Sequence, residues 1–132
     1  MNYLLDTHTL LWVLFEDEKL SENTITIFKN PENALFVSLV SYWEISLKFG
    51  LGKLELTGIK PEELPLFTKE AGIETSEISE LTASTFYKLP RSIHKDPFDR
   101  LIIWQAIQQN LVLISKDQKI SKYQKYGLEV LW

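Results

Sequence analysis

The chain contains no cysteine, which excludes disulfides and any thiolate-ligated metal site. No apolar run approaches the ~20 residues that cross a bilayer. The first residues lack a basic stretch followed by an apolar one, so no secretory signal is predicted and a cytoplasmic location is expected. Positive charge is in deficit. Against 18 Asp and Glu stand 14 Lys and Arg, a formal net charge of −4. That excludes a chain-wide basic surface for nucleic acid, though not a local one. Repeats, low-complexity tracts and Pro-, Gly- and Ser-rich linkers are all missing, so residues 1–132 are expected to form a single domain. Only two histidines are present, His8 and His94.

What is present is 45% hydrophobic residues in short runs that alternate with helical patterns. Strands are predicted at 2–5, 34–38, 73–75, 111–115 and 129–131. Helices are predicted at 9–15, 21–29, 41–49, 61–70, 79–89, 97–109 and 118–123. Ser21 reads as an N-cap, and so does Asp96, with Pro97 at the first helical position. Strands alternating with helices imply βαβ units and a parallel sheet. "ALFVS" and "LVLIS" are continuous apolar runs, as expected of strands covered on both faces. The predicted class is α/β, a three-layer α/β/α sandwich around a mostly parallel sheet. In such sheets sites form at the carboxyl ends of the strands.

Four acids are placed at that edge. Asp6 ends the first strand, Glu44 and Asp99 begin helices, and Asp117 follows "LVLIS". Each has a structural reading of its own. Ser41 to Glu44 spells a capping box, Asp99 suits a helix dipole, and Asp117 suits a turn. Asp6 is the exception, since no helix-start pattern follows it closely. Two like charges ~4 Å apart repel by about 4 kcal/mol at an effective dielectric near 20. Four together therefore call for a cation. Oxygen ligands suit Mg²⁺ or Mn²⁺ rather than zinc. Carboxylate-held Mg²⁺ usually meets phosphate, so metal-assisted phosphodiester hydrolysis is the expected reaction, leaving a 5′-phosphate and a 3′-hydroxyl. Thr7, Ser38 and Ser115 are placed to orient a carboxylate or a water. Asp96 reads first as a cap, with a role beside the metal left open.

The segments "LLDTHTLLW", "VSYWEISLK", "HKDPFDRLIIWQA" and "LISKDQKI" occur in this order. Together they resemble the four signature blocks of the PIN-domain ribonucleases and, among these, the VapC-type toxins of prokaryotic toxin–antitoxin pairs. The resemblance implies that Asp6, Glu44, Asp99 and Asp117 are the acidic quartet that binds the metal. It also implies cleavage of RNA, a homodimer, and an antitoxin whose tail covers the site.

Two stretches are locally basic. "YKLPRSIHK" carries Lys88, Arg91 and Lys95. "KDQKISKYQKY" carries Lys116, Lys119, Lys122 and Lys125 among Tyr123 and Tyr126. Cations place phosphates and rings stack unpaired bases, which makes Lys116, Lys119 and Lys122 candidate RNA contacts. A plain solvated face is the competing reading. Arg100 is placed to meet a phosphate or an antitoxin carboxylate. Trp12, Trp43 and Trp104 read as core. A metal-free route through His8 and His94 would leave the acids unexplained. An aspartyl phosphatase would need a second acid two residues after Asp6, where His8 stands. A phosphorylation receiver would need an acid where Ser38 ends its strand. A non-catalytic RNA- or partner-binding domain is the remaining alternative, against which the intact quartet argues.

Overall fold

Strand residues point alternately to opposite faces, and here the alternation builds two cores. In β1 (Asn2–Leu5), Leu4 joins one core while Tyr3 and Leu5 join the other. In β4 (Val112–Ile114), Leu113 goes with Leu4, and Val112 and Ile114 go the opposite way. The computed structural model describes all 132 residues, Met1 to Trp132. With β2 (Ala34–Ser38), β3 (Ile73–Ser76) and β5 (Glu129–Leu131), the strands form one sheet in the order β3-β2-β1-β4-β5. All four ladders are parallel.

Seven helices cover the faces: α1 (Thr7–Phe15), α2 (Glu22–Lys29), α3 (Leu39–Gly50), α4 (Leu64–Glu70), α5 (Glu80–Thr85), α6 (Pro97–Gln109) and α7 (Gln118–Ser121). Ile102, Ile103 and Ala106 of α6 pack on the Leu4 face. Leu10 of α1, Ile27 of α2 and Leu64 of α4 pack on the Tyr3 face. Helix α3 contributes to both, through Val40 and Ile45. The result is the expected α/β/α sandwich. No helix is long and apolar enough to cross a membrane.

Helix α4 starts at Leu64 rather than residue 61, after a 3₁₀ turn at Pro61–Glu63, and two other shifted starts bear on the site. Helix α1 begins at Thr7 rather than residue 9, because Asp6 is its N-cap and accepts from the Thr9 N–H at 2.8 Å. Asp6 therefore does have a capping role. Helix α3 begins at Leu39 rather than residue 41, because Ser38 caps it by accepting from the Val40 N–H at 3.1 Å. Ser41 and Glu44 are thus interior positions, and no capping box forms there. The 79–89 prediction resolves into α5 followed by a 3₁₀ turn, Phe86–Lys88, and the stretch after α7 is another, Lys122–Tyr126.

From β1 the sheet extends to β2 on one side and β4 on the other. This is the switch in strand order beside which open α/β sheets carry their sites. Asp6 follows β1 directly, and Asp117 lies just past β4.

Candidate active site

Asp6 is buried, 5% exposed, at the β1–α1 junction. Burial pushes its carboxyl pKa up, against hydrogen bonds from Ser115 and Thr9 that favour the ionised form. Ser115 also accepts from the Asp117 N–H at 3.1 Å, so one serine steadies both acids at the switch point. Ser115 thus contacts the Asp6 carboxyl, whereas the Ser38 hydroxyl caps α3.

Glu44 lies a turn and a half into α3, buried and turned inward. Its Oε1 accepts from the Thr7 hydroxyl at 2.7 Å, and Thr7 in turn meets Ser41 at 2.9 Å. Its Oε2 is ion-paired with Lys48, one turn further along the helix. Thr7 therefore holds one oxygen of the Glu44 carboxylate. Lys48 was not anticipated, although its spacing four residues after Glu44 is the ordinary signature of a helical ion pair.

The start of α6 brings Asp96 and Asp99. Asp96 caps the helix, its Oδ1 accepting from the N–H of Phe98 at 2.8 Å and of Asp99 at 3.4 Å. Asp96 also stands close to Glu44 and Asp99, so the cap and the acid cluster share one residue. Asp99 has its pKa raised to about 7, first by burial and then by the charges of Asp96, Glu44, Asp6 and Asp117. Asp117 caps α7 through the Lys119 N–H at 2.9 Å.

His94 links the last two acids. Its Nε2 is 3.2 Å from Asp99 Oδ2 and 3.1 Å from Asp117 Oδ2. Its Nδ1 accepts from the Asp96 N–H at 3.2 Å, so the proton of the neutral ring sits on Nε2 and faces the carboxylates. His8, in contrast, is exposed and packs at 6.1 Å from the Trp12 ring. The two histidines do not form a pair. Sequence reasoning weighed them only as one, and so missed His94 as a neighbour of the acids.

Two groups of three have ligand atoms within 4.8 Å of one another: Glu44, Asp96 and Asp99, and His94, Asp99 and Asp117. They share Asp99. Asp6 belongs to neither but stands near enough to raise the pKa of Asp99. The donor set fits a hard divalent ion, since its free atoms are carboxylate oxygens and its one imidazole presents an N–H. Burial first, and then the charge of its neighbours, holds the Asp99 carboxyl near 7.

Other expectations need correction. Arg100 is buried and turned away from the acids. It donates to the Leu89 carbonyl at 3.0 Å and lies 4.6 Å from the Phe86 ring centroid, so its guanidinium is engaged inside the fold. Tyr123 is buried and cannot stack a base, because its hydroxyl donates to the Pro90 carbonyl at 2.9 Å. Trp43 is not core: it is 61% exposed and meets Phe98 edge-on at 5.1 Å. Lys116, Lys119 and Lys122 are exposed beside Asp117.

A family model described as PIN domain matches residues 3–126. Ribonuclease VapC22 of Mycobacterium tuberculosis (strain ATCC 25618 / H37Rv) is 26% identical over 129 residues, covering 98% of this chain and 97% of that protein. The structure of VapBC-1 from nontypeable Haemophilus influenzae is similar with a TM-score of 0.72 at 18% identity, over 99% of this chain and 97% of that one. VapBC2 from Rickettsia felis, bound to a promoter DNA fragment, gives 0.68 at 18% identity, over 99% and 98%.

Proposed function

We propose that this chain, which belongs to the PIN domain family, is a metal-dependent endoribonuclease and the toxin of a toxin–antitoxin pair. The observation that carries the reading is convergence. Asp6, Glu44, Asp99 and Asp117 come from four distant parts of the chain to one sheet edge, and Asp99 is held at about 7 first by burial and then by the charges of Asp96 and the other three. The ribonuclease name of a relative matched along almost its whole length supports the substrate class.

The quartet would hold Mg²⁺ or Mn²⁺, which when bound acidifies water and offsets charge developing on a phosphate. The chain's own part is to keep the carboxylates aimed. The Thr9 N–H fixes Asp6, Thr7 fixes Glu44, and His94 holds Asp99 to Asp117. In the hydrolysis, a water oxygen bonds to phosphorus as the P–O3′ bond breaks. One fragment keeps the 5′-phosphate and the other a 3′-hydroxyl. A groove of about 400 Å³ begins at Asp117 and is lined by Lys116, Gln118, Gln124 and Trp132 among others. With exposed Lys119 and Lys122 nearby, it offers a path for RNA.

The partner reading rests on α3. Leu39, Trp43 and Leu47 are exposed four residues apart, and so form one apolar stripe. Trp43 and Phe98 immediately precede Glu44 and Asp99 in sequence and border the acids. An antitoxin segment lying on this stripe would cover the site. The solved VapBC complexes, alike in fold, support such a partner. A homodimer in the cytoplasm completes the reading.

The test is incubation of the purified chain with end-labelled single-stranded RNA, with Mg²⁺ or with excess chelator, alongside Glu44→Gln. Fragments bearing 5′-phosphates are expected only for the wild type with metal. Undiminished cleavage in chelator would overturn the metal reading.

A further inference from the structure

Five carboxylates crowd the edge, from Asp6, Glu44, Asp96, Asp99 and Asp117, and a single ammonium reaches them. Lys48 is ion-paired with Glu44 Oε2. Its side chain is 33% exposed, whereas that of Glu44 is 2% exposed. The pair is therefore turned into the site rather than laid along the helix surface. Burial lowers the Lys48 pKa, but the Glu44 hydrogen bond and the charges of Glu44, Asp96 and Asp99 outweigh it and raise the value overall. Glu44 is thus held twice, by Thr7 on one oxygen and by Lys48 on the other.

We propose that Lys48 is the built-in counter-ion of the metal centre: it holds Glu44 when no divalent ion is present and competes with that ion for the same carboxylate. The inference rests on reading the quartet as a metal site. Lys48 stays charged throughout, so the effect is one of position and charge, not of protonation. Two cations that use one carboxylate lower each other's affinity by the same factor, typically 5- to 150-fold. A lysine suits the role better than an arginine. Its compact charge on a flexible stem can withdraw without dragging a planar fork. As a positioning residue, Lys48 sets how tightly the site takes up metal and keeps the edge ordered until it does.

The experiment is Mn²⁺ binding to the full chain by calorimetry, paired with thermal melts in chelator and in Mn²⁺, for wild type, Lys48→Met and Lys48→Arg. Lys48→Met keeps the apolar stem and removes the charge. It should bind Mn²⁺ roughly tenfold more tightly. It should melt lower than wild type in chelator and gain more from Mn²⁺, while Lys48→Arg, which keeps the charge, departs less from wild type in both readouts. Equal Mn²⁺ affinity in all three chains overturns the proposal and leaves the metal centre standing. So does a melting loss in Lys48→Met that is the same with and without Mn²⁺, which would make the pair purely structural. Absence of Mn²⁺ binding in every chain overturns the inference and the metal reading together.

Discussion

Replacing Asp99 with Asn should stabilise the metal-free protein, and the amount should depend on pH. In the fold Asp99 has a pKa of about 7 against an ordinary 3.8. A carboxyl whose folded pKa is raised binds its proton more tightly in the native state, so stability falls as pH rises from 3.8 to about 7. Above 7 the penalty is complete. At about 1.4 kcal/mol per pKa unit it is roughly 4 kcal/mol at pH 8. At pH 5 less than half of it has accrued. Asn keeps the shape and removes the charge. It forfeits a helix-dipole contribution of about 0.3–1 kcal/mol at the start of α6. The stabilisation by Asp99→Asn should therefore be larger at pH 8 than at pH 5 by about 2–3 kcal/mol. With an unfolding entropy of about 2.1 cal/mol/K per residue, that is roughly a 10 °C difference in the melting shift for 132 residues. The assay is a set of four melts followed by circular dichroism in chelator, wild type and variant at both pH values. Added Mg²⁺ should raise the wild type more than the variant, by about 1.4 kcal/mol at ten times the dissociation constant. A variant that melts below wild type at pH 8, or a shift equal at the two pH values, would refute the raised pKa of Asp99.

Two further outcomes are expected. Reversing charge at Lys119 and Lys122 should weaken RNA binding at low salt, with the loss shrinking as salt rises, in a filter-binding titration. Unchanged binding would make this stretch plain solvated surface. His94→Ala should lower the melting temperature in chelator and slow RNA cleavage, because Asp99 and Asp117 lose the N–H between them. His94→Gln, which still presents an N–H donor, should recover part of both; no recovery would assign His94 to packing alone.

The strands were legible because β1, β2 and β4 are uninterrupted apolar runs, and a parallel sheet then places the acids at one edge. Capping was legible at Ser21 and Asp96, where Ser or Asp stands directly before a helical pattern. It was misread at Ser38 and Asp6, because each also ends a strand and the helix begins with no loop between. The side-chain partners were less accessible. The turning of Arg100 away from Asp99 follows from its helical neighbours, since adjacent positions on a helix face directions about 100° apart. The meeting of His94 with Asp117 depends on how the loop before α6 crosses the end of β4, which no local pattern encodes. The exposure of Trp43 was hidden for the opposite reason: an apolar stripe at helical spacing reads as core whether or not something covers it.

The order of the strands has a consequence for when this protein can act. Its acids lie at positions 6, 44, 99 and 117, and β1 gains its second neighbour only when β4 docks. An unfinished chain on the ribosome has the first two acids early, but they have nothing to work with. The third and fourth arrive on α6 and after β4, long after Glu44 has been made. The centre is therefore a coincidence of long-range pairings, of the kind that forms late and slowly. On the ribonuclease reading proposed above, the unfinished chain carries no assembled centre, and that interval is time for an inhibitor to be waiting.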